Sequence, residues 1–152
     1  MASESGHLDV VRFLCEAGSD KDTGTEEEMT PLEVASLNGH LDVVRCLCDA
    51  GADKDNEENS QNPLIEASMN GHLEVVRFLC EAGADKDRGT EIGTTPLGDA
   101  SLRGHLEVVR FLCEAGADRD KGSNIFTPLI TASANGHLDM TRLLCDAGAD
   151  KD

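Results

Sequence analysis

A block of seventeen residues recurs five times along the chain, and this repetition constrains the fold more than any other feature. The copy "GHLEVVRFLCEAGADKD" covers residues 71–87, and near-identical copies begin at Gly6, Gly39, Gly104 and Gly136. Successive copies are therefore 33 or 32 residues apart. A period of this length is typical of stacked-repeat architectures, in which each unit buries its apolar face only against its neighbours.

The segments between the blocks predict one short helix each. Every segment contains Thr or Asn followed by Pro-Leu, which fits an N-cap residue with proline at the first helical position. Glu33 follows Thr30 by three residues and completes a capping box. Asn62, Thr95 and Thr127 are predicted to cap the other three helices. These first helices are predicted over residues 31–38, 63–70, 96–103 and 128–135, and a glycine ends each one.

Each block predicts a second, amphipathic helix, over about residues 73–82 in the third repeat. The predicted core face consists of Leu73, Val76, Leu79 and Cys80. The predicted exposed face consists of Glu74, Arg77 and Glu81. The charged residues are spaced for the weak pairs Glu74–Arg77 and Arg77–Glu81. The polar, glycine-containing stretch after the helix predicts an exposed turn or hairpin. Each repeat is therefore predicted as helix, turn, helix and long loop.

The combined pattern, "TPLxxAS…GHLEVVRFLCEAGAD", resembles the ankyrin repeat across essentially the whole chain. The resemblance implies an all-α, ankyrin-type helix-turn-helix-loop solenoid with projecting β-hairpin-like loops. It implies a single domain, residues 1–152, with a partial repeat at about 1–22 and full repeats at about 23–55, 56–87, 88–120 and 121–152. The sequence departs from the family where a histidine usually follows Thr-Pro-Leu, and it has Glu33, Ile65, Gly98 and Ile130 there. Both ends look cut, so we expect exposed apolar ends and a segment of a longer array.

The charge of the chain limits its partners. The formal net charge is −17, which argues against nucleic acid and against anionic membranes, because binding to either requires an excess of Lys and Arg. Acidic residues concentrate in the segments of the N-terminal half, whereas those of the C-terminal half carry Ile92 and the pair Ile125-Phe126. The sequence contains neither an apolar run of about 18 residues nor a visible signal peptide.

The repeated His and Cys residues are predicted to be structural rather than chemical. His72 and Cys80 are separated by roughly 12 Å of helical rise, too far for one zinc ion. We expect the five histidines to bond turn backbone at the helix entrances. The six cysteines are predicted to be reduced, mostly buried thiols, with Cys46 as a small core substitute for phenylalanine, which indicates a reducing compartment, the cytoplasm or nucleus. A redox-responsive thiol array is the rival interpretation.

No arrangement of nucleophile, base and orienting group is repeated or singled out, so neither an enzyme activity nor a cofactor is predicted. Function is instead expected where the copies differ. The resemblance implies that loops and first helices line a concave face that binds protein. The predicted partner-binding residues are Glu26, Glu27, Met29, Leu37, Asn38, Glu58, Asn59, Gln61, Met69, Asn70, Glu91, Ile92, Leu102, Arg103, Ile125, Phe126 and Asn135.

The leading hypothesis is a non-catalytic interaction module. Its partner is a protein with a basic patch and an apolar element, and the module itself is monomeric, with end-to-end stacking as an option. The alternative is a regulatory or structural spacer segment of a larger multidomain protein, with no independent partner. The acidic loops also have a simpler interpretation as solvated turns, and Ile125 or Phe126 as residues folded back under a hairpin.

Overall fold

The computed structural model describes residues 2–24, 29–55, 62–122 and 127–150. Within these residues every regular element is helical, and the helices are short and of two alternating kinds. In chain order they are α1 (Leu8–Glu16), α2 (Pro31–Leu37), α3 (Leu41–Asp49), α4 (Pro63–Met69), α5 (Leu73–Glu81), α6 (Pro96–Arg103), α7 (Leu106–Glu114), α8 (Pro128–Ala134) and α9 (Leu138–Asp146). The predicted helix pairs are confirmed to within a residue or so at each end.

The first helices α2, α4, α6 and α8 begin at the predicted caps. Thr30 and Glu33 form the predicted capping box, because the Thr30 amide donates to Glu33 Oε2 at 2.6 Å and the Glu33 amide donates to Thr30 Oγ1 at 3.3 Å. The Asn62 side chain accepts from the Ile65 amide at 2.7 Å. Thr95 and Thr127 cap in the same way, and proline opens each of these helices.

The helices form two layers. Each first helix packs against the next first helix along the stack, from α2 through α4 and α6 to α8, and against the second helix of its own repeat. The second helices α1, α3, α5, α7 and α9 form the other layer. One continuous apolar core runs between the layers from Val11 to Ala149. Stacking therefore buries faces that no single repeat could bury alone.

The core face of the second helices differs from the prediction. In α5 the fully buried residues are Val75, Val76 and Leu79, whereas Leu73 and Cys80 are only half-buried. The helix packs against its own first helix and also against the second helices on both sides. Because three neighbours surround it, the buried arc includes Val75, which a single-face pattern places outside the core.

The turn between the two helices of a repeat carries a hydrogen bond to the preceding repeat. His72 Nε2 lies 2.9 Å from the carbonyl oxygen of Leu37, and His105 Nε2 lies 2.9 Å from that of Met69. A carbonyl only accepts, so Nε2 carries the proton. The predicted bond from histidine to backbone at the helix entrances is confirmed for these residues, and the accepting carbonyl lies at the end of the first helix of the preceding repeat. The other members of this ladder are His40 with Glu4 at 2.8 Å and His137 with Leu102 at 3.4 Å.

A second ladder joins the loops that follow the second helices. The Asp53 amide donates to Asp22 Oδ1 at 2.9 Å, and the Asp85 amide donates to Asp55 Oδ1 at 3.1 Å. The same bond recurs from Asp118 to Asp87 at 2.7 Å and from Asp150 to Asp120 at 2.7 Å. These carboxylates therefore connect neighbouring repeats as well as keeping the outer surface soluble.

The predicted hairpin-like loops contain no β-strand in the part of the chain that the structure describes. The loop before α6 makes a tight turn, in which the Thr90 amide donates to the Thr94 carbonyl at 2.8 Å and the Gly93 amide donates to the Thr90 carbonyl at 2.9 Å. This turn projects Ile92 into solvent.

The expected exposed apolar ends are confirmed. On α1 the side chains of Val10, Phe13 and Leu14 are exposed, Phe13 by 67 %. At the other end of the stack Ile130 and Leu138 are exposed.

Candidate functional site

The predicted partner-binding residues divide into two groups. Seven of them lie outside the described residues: Glu26, Glu27, Glu58, Asn59, Gln61, Ile125 and Phe126. The acidic loop residues Glu28 and Glu57 also lie outside the described residues. The structure places the other ten, which are Met29, Leu37, Asn38, Met69, Asn70, Glu91, Ile92, Leu102, Arg103 and Asn135. Their role in binding stays a prediction.

Most of the ten residues follow one edge of the stack. Leu37, Met69 and Leu102 are half-buried at the last turns of α2, α4 and α6. The asparagines that follow three of the first helices are exposed, but each also bonds its own helix. The side-chain amide of Asn70, for example, donates to the backbone carbonyl of Glu66 at 2.9 Å. The corresponding bonds of Asn38 and Asn135 are both 2.8 Å. These amides therefore cap the ends of the helices in addition to facing solvent.

A cavity of about 270 Å³ opens on the first-helix layer. We call it the first-helix cavity. It brings together Met69, Ile92 and Leu102 from the predicted set with seven residues that sequence reasoning did not assign to binding. The full lining is Ile65, Glu66, Met69, Thr90, Ile92, Thr94, Gly98, Asp99, Leu102 and Thr131. Its walls are apolar, and Ile92 at its rim is 69 % exposed.

Gly98 helps to open this cavity. It lies at the fourth position of the Thr-Pro-Leu-x motif, where the neighbouring repeats have Ile65 and Ile130. A glycine at this position leaves no side chain where the neighbours carry a branched one. The cavity is lined by residues of the fourth repeat together with residues of α4 and α8.

Three carboxylic acids are buried along the first helices. Glu33 on α2, Glu66 on α4 and Asp99 on α6 are 1 %, 3 % and 8 % exposed. The sequence analysis identified Glu33 as a cap and missed the other two. Their signal was available, because Glu66 and Asp99 occupy the same repeat position as Val34, which is also buried.

The three acids differ in how the surrounding residues compensate them. Thr30 bonds Glu33, and burial nevertheless raises the pKa of Glu33. Burial also raises the pKa of Asp99, although a hydrogen bond with Thr94 and the positive charge of Arg103 act in the opposite direction. Within the described residues the Glu66 carboxyl has neither a hydrogen bond nor an ion pair. Burial, then the charges of Glu33 and Asp99, raise the pKa of Glu66 to about 7.

The cysteines are less buried than predicted. All six are free thiols, but Cys113 alone is buried and the other five are half-buried. All six lie on the second helices. Burial is the largest cause that raises the pKa of Cys80 to about 11. A thiol with such a pKa carries little thiolate at neutral pH, so Cys80 is a poor candidate for a reactive thiol.

The outer surface of the second helices contains a feature that sequence reasoning missed. The Arg45 guanidinium lies 4.8 Å from the Phe78 ring centroid, and the Arg77 guanidinium lies 4.7 Å from that of Phe111. These cation–π contacts link successive repeats. The predicted Glu74–Arg77 pair is present at 3.9 Å. The expected Arg77–Glu81 pair does not form, and Arg77 reaches the next repeat instead.

Neither a metal-binding cluster nor a membrane-spanning helix is present in the part of the chain that the structure describes. Within the described residues no group of three or more His, Cys, Asp or Glu side chains is arranged to hold a metal ion. In the same part of the chain, no helix has the length and apolar character required to span a bilayer.

The repeat geometry agrees with a comparison against known families. A family model describing ankyrin repeats in three copies matches residues 1–90 and again residues 87–152. The chain belongs to the ankyrin repeat family. Ankyrin repeats are generally protein–protein interaction modules and are generally non-catalytic. No curated protein sequence gives a significant match.

Proposed function

We propose that this ankyrin repeat chain binds a partner protein through its first-helix layer and the adjoining loops. The observation that carries the proposal is the first-helix cavity, where the exposed Ile92 stands beside walls formed by Met69 and Leu102. An exposed apolar side chain at the rim of an apolar cavity is typical of a binding surface. The second helices, by contrast, nearly repeat one another and serve the stack.

The partner is proposed to carry a basic patch beside an apolar element. The chain has a net charge of −17, and two buried acids, Glu66 and Asp99, are among the residues that line the cavity. Charge of this sign accelerates association with a basic partner and makes the rate fall as salt rises. The acidic loop residues Glu26, Glu27 and Glu58 support the same proposal from the sequence alone.

The chain itself is proposed to be a non-catalytic monomer of the cytoplasm or nucleus. Six free cysteines support a reducing compartment. The exposed apolar residues of α1 and α9 leave end-to-end association of copies as an additional property. Sedimentation at increasing protein concentration distinguishes the monomer from a growing stack.

The test uses a photo-crosslinking amino acid placed at Ile92 of the full chain, followed by reconstitution with the captured protein. We expect Ile92→Asp to weaken binding at least tenfold, because a charge enters the apolar contact, and we expect the association rate to fall as ionic strength rises. The matched control is Leu138→Asp, since Leu138 is a similarly exposed apolar residue on α9.

Equal losses for the two variants would show that the change acts through stability and not through this surface. Binding that is indifferent to salt would reject the basic patch. A chain that captures no partner through position 92 would favour the alternative, a regulatory or structural spacer with no partner of its own.

A further inference from the structure

We propose that the first-helix cavity is a receptor for one lysine or arginine side chain of the partner, whose cationic group pairs with Glu66. This inference rests on the proposed function and specifies the chemistry of its central contact. It depends on the location of Glu66, on the absence of a partner for its carboxyl group and on the shape of the space beside it.

Glu66 is the group that requires a ligand. It is 3 % exposed and lines the cavity. No side chain or amide in the described part of the chain bonds its carboxylate. Buried carboxylates are normally paired or hydrogen-bonded, because an isolated charge in an apolar setting is costly. A cation from outside the chain would supply the missing partner.

The surrounding acids make the site selective for a cation. Glu33 on α2 and Asp99 on α6 flank Glu66 and add to its negative field. Arg103, on α6, partly offsets Asp99. The other neighbouring elements add no charge that competes for Glu66. On α5 the charged residues Glu74, Arg77 and Glu81 are exposed. Thr131 on α8 is neutral, and Glu91 in the loop faces solvent.

The shape of the cavity suits an aliphatic stem with a charged tip. Its volume of about 270 Å³ is far larger than the ~30 Å³ that one water occupies in the liquid. Ile65, Met69, Ile92 and Leu102 supply apolar walls for methylene groups, and the acidic residues Glu66 and Asp99 line the same cavity. Lys and Arg combine a long methylene stem with a cation, so both parts of the side chain find matching surfaces. A metal ion would not use the apolar walls.

Binding of the cation is coupled to loss of a proton. The pKa of Glu66 is raised to about 7 by burial and by its acidic neighbours, so the carboxyl is partly protonated near neutral pH. A lysine ammonium favours the ionised form and displaces the proton to solvent. Affinity should therefore rise with pH through this range.

The probes for the test are Nα-acetyl-lysine methylamide and Nα-acetyl-norleucine methylamide, which differ only by the side-chain ammonium group. Methyl NMR of the full chain follows Ile65, Met69, Ile92 and Leu102 during titration. We expect saturable shifts with the lysine probe and an affinity about thirtyfold higher near pH 8 than near pH 5.5, set by the ionised fraction of Glu66. We expect no comparable shifts with the norleucine probe.

Two variants and one control complete the design. Glu66→Gln should lower the affinity for the lysine probe at least fivefold and remove its pH dependence. Gly98→Ile introduces the isoleucine that the neighbouring repeats carry at this position, as Ile65 and Ile130. It should block binding of the lysine probe while leaving the charge of Glu66 in place. Glu74→Gln removes an acid that is 73 % exposed on α5 and should change nothing.

Several results would overturn the proposal: equal binding of both probes, no binding of the lysine probe, or unchanged binding after Glu66→Gln. Failure of the inference is separable from failure of the proposed function. If a partner crosslinks at position 92 and binds Glu66→Gln normally, the cation receptor is wrong and the interface stands. If the lysine probe binds but no partner is captured at position 92, the cavity binds a cation and the proposed protein interface is wrong.

Discussion

Replacing Glu66 with glutamine should change the stability of the folded chain, relative to the parent chain, more favourably at alkaline pH than at acidic pH. Glu66 is 3 % exposed and carries a pKa raised from 4.5 to about 7. Glutamine has nearly the same shape and does not titrate. The substitution therefore removes the ionisation of a buried acid while leaving the packing of α4 largely unchanged.

The magnitude follows from the linkage between proton binding and folding. Below pH 4.5 the Glu66 carboxyl is protonated in both the folded and the unfolded state, so the stability of the fold is not reduced by its ionisation. Between 4.5 and about 7 the folded chain keeps a proton that the unfolded chain has released. Stability therefore falls as pH rises, by about 1.4 kcal/mol per unit at most. Between pH 5 and pH 8 Glu66 alone should remove about 2 to 3 kcal/mol.

Urea unfolding monitored by far-UV circular dichroism measures this change. The comparison is the stability of Glu66→Gln minus that of the parent chain, taken near pH 5 and again near pH 8. We expect this difference to favour glutamine by about 2 to 3 kcal/mol more at the higher pH. Any constant cost of burying an amide cancels between the two conditions.

Glu74→Gln serves as the control, because Glu74 is 73 % exposed on α5 and its substitution should give no such pH-dependent gain. If Glu66→Gln shows the same stability difference at the two pH values, the reasoning about burial is wrong. The carboxyl group would then be solvated or paired in a manner that the described contacts do not contain.

Two further predictions test the scaffold. His72→Ala should cost about 1 to 2 kcal/mol, because it leaves the Leu37 carbonyl without its donor, and His137→Ala should cost less, because its contact to Leu102 is longer, at 3.4 Å against 2.9 Å. Equal losses in urea unfolding would contradict this ranking. Native thiols should react with a disulfide reagent at least about tenfold more slowly than unfolded ones, with Cys113 the slowest. Uniformly fast labelling would favour the redox interpretation.

Much of the fold was predictable because it depends on local chemistry that recurs. Thr30, Pro31 and Glu33 determine where a first helix begins within a few residues of sequence. The glycines that end these helices adopt positive φ, such as 76° at Gly71, which residues with a side chain rarely adopt. Such signals need no knowledge of distant contacts, and their recurrence in four segments made them unambiguous.

The site was predicted only in part, for a physical reason that Glu66 illustrates. A glutamate in a short amphipathic helix ordinarily faces solvent, and nothing local to residues 63–69 indicates otherwise. It is buried because α2 and α6 pack on both sides of α4. Burial by neighbouring repeats depends on positions about 33 residues away, so composition and helical periodicity cannot report it. Ile92 lies in a loop that was predicted to be exposed, and its side chain is exposed; its role in binding stays a prediction.

The sequence by itself determined the repeat, the helix caps, the histidine and cysteine positions and the sign of the charge, since each is written in residue order. The tertiary structure alone decided which groups meet across repeats. It joined the His72 ring to the Leu37 carbonyl, placed Arg77 over the ring of Phe111, and enclosed Glu66 beside the space opened by Gly98. These contacts arise from stacking, and stacking brings together residues that are neighbours in space and a full repeat apart in the chain.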